Sequence, residues 1–92
     1  MDPLSEVVEK IVREQENVIG PLALEQARRV QGLKIDLDKR QVSFTGDRTH
    51  VLEHLVQQYQ KLFGQASVQV CKDAARPMLD KLSPKEVPAL LK

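Results

Sequence analysis

Residues 51–75, VLEHLVQQYQKLFGQASVQVCKDAA, decide how this chain is read, because residues 7–31, VVEKIVREQENVIGPLALEQARRVQ, carry the same plan 44 positions earlier. At that offset Val7 falls on Val51, Glu9 on Glu53, Val12 on Val56 and Gly20 on Gly64. Ile11 meets Leu55, Val18 and Ile19 meet Leu62 and Phe63, Ala27 meets Cys71, and Arg28 meets Lys72. Identities are few, so the argument rests on phase. Leu4, Val7, Val8, Ile11, Val12, Val18 and Ile19 keep helical spacing, and Val51, Leu52, Leu55, Val56, Tyr59, Leu62 and Phe63 repeat it in register. Each unit therefore reads as an amphipathic helix, a glycine corner and a second helix. The expected fold is all-α: two pseudo-symmetric helix-corner-helix units, 7–31 and 51–75, forming one four-helix bundle-like domain over residues 1–92.

Local signals place the boundaries. Asp2-Pro3 starts the first helix with an acidic cap and a proline where a missing N–H costs nothing. Gly20-Pro21 stops it near Ile19, since proline removes a donor and restricts the residue before it. Leu22, Ala23, Ala27 and Val30 form the expected inner face of the second helix, with Gly32 as its left-handed cap. The third helix covers about 48–63 behind an Asp47 or Thr49 cap. At Gly64 the chain has Gln65 in place of Pro21, so a second corner or a bend in one longer helix both fit. Pro77 predicts a break near Arg76, and Ser83-Pro84-Lys85-Glu86 spells a capping box for a last short helix that Pro88 limits.

Between the units the period changes from helical to alternating. Leu33, Ile35 and Leu37, then Val42 and Phe44, alternate with polar residues. A link over 38–41 would pair Leu37 with Val42 and Ile35 with Phe44 in a β-hairpin. An extended crossover pressing the same residues onto the helices is the other solution, since an isolated two-stranded ribbon is marginal.

Composition bounds the function. A chain of 92 residues buries roughly 60–65% of its unfolded surface, enough for one modest core. Tyr59, Phe44 and Phe63 are its only aromatic residues, too few for a stacking platform for single-stranded nucleic acid. Fourteen Lys and Arg against thirteen Asp and Glu leave a formal charge of +1, so no whole-molecule field draws the chain to DNA or to an acidic membrane. The MDPLSE start is acidic where a secretory leader is basic, and the longest apolar run, residues 18–24, falls far short of the roughly 20 residues that span a bilayer. With Cys71 as the single cysteine, the expectation is a soluble, cytoplasmic protein without a membrane partner.

Three constellations invite chemistry. His50-Val51-Leu52-Glu53-His54 matches H-x-x-E-H, the zinc-hydrolase pattern of two histidines one turn apart with a glutamate base. A catalytic zinc also needs a third protein ligand and a cleft, and Asp73, Asp80 and Glu86 are the only later acids. The pair aligns with Glu6 and Lys10 of the first unit, which places it on a solvated face with no metal and no cofactor assigned. Cys71 lies on the apolar stripe, so it is read as a small hydrophobe rather than a nucleophile. Arg28, Arg29, Lys34, Lys39, Arg40 and Arg48 gather the basic charge of residues 28–48 and make a DNA-binding regulator the competing class. No phosphate-cradling glycine motif is present.

At Val18-Ile19-Gly20-Pro21-Leu22-Ala23, followed by Glu25, Ala27 and Val30, the chain resembles the I-G-P-[IL]-A helical modules at the ends of some bacterial serine/threonine kinases and signalling proteins. The resemblance covers residues 8–31 and departs in the second unit, where Gln65 stands for the proline. It implies a noncatalytic bacterial module for regulation or protein interaction. The third helix has a wider apolar face than one partner helix requires, with Leu52, Leu55, Tyr59 and Phe63 along it, while Gln15 holds the position matching Tyr59. These four residues are the expected interaction surface, and the expected partner is a second copy of the chain.

Overall fold

The computed structural model describes residues 2–92: a mostly helical chain with four α-helices and one two-stranded antiparallel sheet. Helix α1, Pro3–Ile19, starts where expected. One Asp2 oxygen accepts from the Ser5 amide at 3.1 Å and the other from the Ser5 hydroxyl at 3.0 Å. Helix α3, Arg48–Phe63, starts behind Asp47, whose Oδ1 accepts from the Thr49 and His50 amides at 2.9 and 3.2 Å. Each cap satisfies amides that the helix itself leaves unpaired.

Both long helices end on glycines in the same rare conformation. Gly20 has φ 70° and ψ −149°, Gly64 has φ 80° and ψ −166°, and each donates its amide to the residue four back, Glu16 O at 2.9 Å and Gln60 O at 2.8 Å. Residues with a Cβ are essentially barred from this region. Helices α2, Leu22–Arg28, and α4, Gln65–Ala75, follow directly. The second corner thus forms with Gln65 in the place of Pro21, on a glycine of similar backbone conformation, so the proline's missing donor is not required for it.

The hairpin forms, in a register two residues from the expected one. Strands β1, Leu33–Asp36, and β2, Gln41–Phe44, pair Ile35 with Val42 and Leu33 with Phe44, and Leu37 falls in the turn. The turn chemistry selects this register. Asp36 Oδ1 accepts from the Lys39 amide at 3.2 Å, Leu37 O accepts from the Arg40 amide at 3.2 Å, and Arg40 adopts a left-handed φ of 53°. A slip of two residues keeps every side chain on its face, so the hydrophobic pattern does not oppose it. Gly32 does not cap α2, which ends at Arg28. It opens the hairpin at φ 86°, where a Cβ would lie 2.7 Å from the Thr45 carbonyl oxygen.

One contiguous core gathers α1, α3 and α4 with Ala23 and Ala27 of α2 and Leu33 of β1. Helix α1 packs chiefly on α4, and α2 lies across α1 and α3. The hairpin is tied down from α1: Glu9 accepts from Arg40 through Nε at 3.0 Å and Nη2 at 3.1 Å, and Arg13 Nη2 donates to Leu37 O at 3.1 Å. After α4, Pro77 tightens the backbone into a 3₁₀ segment, Arg76–Lys81. The capping box makes its contact, Ser83 N to Glu86 Oε1 at 3.0 Å, yet only a turn follows it, and a last 3₁₀ turn, Ala89–Leu91, starts after Pro88.

Candidate functional site

The face expected to meet a partner is instead the centre of the core. Leu52, Leu55 and Tyr59 are all 0% exposed, and Phe63 is half-buried. The width of the α3 stripe is absorbed inside the chain, because α3 meets both α4 and α2. Tyr59 reaches α2 and donates its hydroxyl to Ala23 O at 2.6 Å. Burial pushes its phenol well above the ordinary range, with weaker contributions from Cys71 and Glu16. Gln15, polar at the matching position, is equally buried and donates Nε2 to Ser67 O at 3.0 Å and to Cys71 Sγ at 3.3 Å, while its Oε1 has no partner. The Cys71 thiol is raised to about 11 by burial, opposed by the Gln15 hydrogen bond, and so lacks the thiolate character a nucleophile needs.

The large apolar side chains left in solvent are Val18, 63% exposed, Leu22, 46%, and Leu62, 48%. All three were expected on inner faces. Val18 and Leu62 occupy the last turns of α1 and α3, two residues before Gly20 and Gly64, where the chain swings away and leaves that edge of the helix uncovered.

The basic residues are exposed and spread over α2, the hairpin and the start of α3. Arg40 is held by Glu9, and Arg48 pairs with Asp2 while its guanidinium lies over the Phe44 ring at 5.4 Å from the centroid. The Arg40 hydrogen bonds hold the Glu9 carboxyl below its usual range against the opposing effect of burial. Arg28, Arg29, Lys34 and Lys39 make no ion pair among the described residues.

A concavity of about 490 Å³ opens where the hairpin meets the first turns of α3. Gly32, Lys34 and Thr45 form one wall, and Asp47, His50 and His54 the other. The imidazoles of His50 and His54 are exposed and near-parallel, 21° apart with centroids separated by 6.5 Å, whereas Glu53 does not line the cleft. No set of three or more His, Cys, Asp or Glu side chains converges to hold a metal ion among the described residues. The sequence marked both histidines, but the wall opposite them arises only once Thr45 N donates to Gly32 O at 2.7 Å and closes the hairpin base beside α3.

Compared with protein-family models, curated proteins and solved structures, the chain gives no match. No helix among the described residues is long and apolar enough to cross a membrane.

Proposed function

We propose that the chain is a noncatalytic cytoplasmic interaction module, two helix-corner-helix units in a pseudo-twofold four-helix arrangement, that self-associates through the exposed apolar ends of α1 and α3. The observation that carries this reading is the exposure of Val18 and Leu62, residues 44 positions apart that hold the same place in each unit. A chain that repeats an apolar position on both halves offers a surface that a second copy can meet with its own.

The pseudo-twofold arrangement is supported by the matched glycines and by two reciprocal hydrogen bonds. Residue 15 donates to the carbonyl of residue 67, and residue 59 donates to that of residue 23, so donors and acceptors are each separated by the same 44 positions. Each unit's first helix is thereby clasped to the other unit's second helix. A stable interface covers roughly 800 Å² per partner, about a seventh of the 5385 Å² surface. In the nucleic-acid reading Arg40 and Arg48 are already paired with Glu9 and Asp2 of the same chain, while Arg28, Arg29, Lys34 and Lys39 are the unpaired contacts among the described residues.

Light scattering coupled to size exclusion over a hundredfold concentration range tests the proposal. The mass of the wild type should rise with concentration, and a Val18→Glu/Leu62→Glu variant should stay monomeric with unchanged helical signal. A wild type that is monomeric throughout removes self-association and transfers the surface to a different protein. A salt-dependent shift on random duplex DNA would favour the basic residues instead.

A further inference from the structure

We infer that His50 and His54 form a two-imidazole chelate for a divalent transition-metal ion at the mouth of the hairpin–α3 cleft. Residues four apart on a helix are surface neighbours, and here both rings project to the same side, near-parallel, with centroids 6.5 Å apart. The helix segment beneath them is rigid: Asp47 caps it through two amides, and Val51 and Leu52, between the histidines, are 5% and 0% exposed. The spacing of the two Cβ atoms is therefore set before an ion arrives, and only exposed side-chain torsions must adjust. Metal–nitrogen bonds of about 2.0–2.1 Å require the rings to swing closer than they stand. Staggered rotamers of an exposed imidazole allow that without disturbing the core.

The chemistry defines the ion class. Neutral imidazole is a borderline ligand that suits copper, nickel and zinc and is a poor one for calcium or magnesium. Asp47 caps the helix through Oδ1, Glu53 lies outside the cleft, and no third His, Cys, Asp or Glu converges with the pair among the described residues, so the protein supplies two ligands and the open cleft leaves the other positions to water. With no third protein ligand to impose a geometry, affinity should follow the intrinsic order, Cu(II) above Ni(II) and Zn(II). The site differs from the hydrolase pattern in the same five residues because it contains no general base. Its readout is also separate from self-association, since neither histidine belongs to the surface around Val18 and Leu62.

The test uses the full chain with Cu(II) or Ni(II) chloride alone in a non-chelating buffer, read by calorimetry and by paramagnetic broadening of amide resonances. One ion should bind per chain, Cu(II) more tightly than Ni(II), with broadening centred on residues 47–54 and reaching 32–34 and 45. His50→Gln and His54→Gln should each weaken Cu(II) binding at least tenfold, with unchanged circular dichroism and melting temperature in the absence of metal. Glu53→Gln and Cys71→Ala should retain wild-type affinity. Binding that survives the double histidine substitution, or single variants that bind as the wild type does, would overturn the chelate. Loss of binding on Glu53→Gln would overturn it as well, since a third ligand would then be involved.

Discussion

Substitution of Tyr59 separates an internal role from an interfacial one most directly. Its ring is wholly buried and its hydroxyl donates to Ala23 O at 2.6 Å. Tyr59→Phe keeps the packing and removes that bond, so it should cost about 0.5–1.5 kcal/mol, the net contribution of a neutral hydrogen bond. With a urea dependence of about 1–3 kcal/mol/M, the unfolding midpoint should fall by roughly 0.2–1.5 M. Tyr59→Glu removes the ring as well, about 3–5 kcal/mol for a large-to-small change in a core, and places a carboxylate where no cation waits. A 92-residue domain holds roughly 5–14 kcal/mol in total, so this variant should be largely unfolded at 25 °C. Circular dichroism, urea titration and light scattering on the three proteins give the comparison. A Tyr59→Glu protein with full helical signal and a reduced mass would refute the reasoning, because it would place the ring against a second chain. An unchanged midpoint for Tyr59→Phe would show that the hydroxyl contributes nothing across α2 and α3.

Gln15→Met conserves volume and removes the buried oxygen that lacks a partner, so its unfolding free energy should match or exceed that of the wild type by up to about 1 kcal/mol despite the lost bond to Ser67. Gly20→Ala and Gly64→Ala should each cost about 1–3 kcal/mol through backbone strain alone, since a Cβ at either corner meets nothing within 4 Å; equal costs at the two sites would show that Pro21 contributes little to the first corner. The Glu9 carboxyl is depressed below its ordinary 4.5, so its stabilisation is present above that value and lost as pH falls through the folded one. The stability gap between wild type and Glu9→Gln should therefore narrow below pH 4.5, and hydrogen exchange in β1 and β2 should speed up in the variant at pH 7. Cys71 shifts the other way, from 9.0 to about 11, and its contribution is lost as pH rises through that window. Cys71→Ala should flatten the alkaline fall in stability between pH 9 and 11 by at most about 2–3 kcal/mol, leaving the part due to Tyr59, whose phenol is raised from 10.0.

What a residue does to its own backbone was legible in the chain. Asp2-Pro3 and Asp47 start the long helices because a carboxylate reaches amides two or three residues on, and Gly20-Pro21 marked the end of the first; at Gly64 a corner and a bend both fitted the chain, and the structure makes the corner on the glycine's positive φ. Alternation from Leu33 to Phe44 marked an extended segment, hairpin or crossover, and put the right side chains on each face, while the pairing itself came with the structure. Register and burial were decided elsewhere. The hairpin slipped by two residues because the turn at residues 37–40 is set by the Asp36 side chain and by Arg40, which Glu9 of α1 holds from 31 positions away. Helical spacing draws an apolar stripe, but its edges belong to whichever helix packs beside it. Tyr59 was drawn inside by the Ala23 carbonyl, Gln15 was admitted to the core because Ser67 O accepts its amide, and Val18, Leu22 and Leu62 were left in water where the glycine corners carry the chain away. The histidine pair was visible as a spacing on one helix, whereas the cleft in front of it came from contact between segments distant in the chain, which no local pattern encodes.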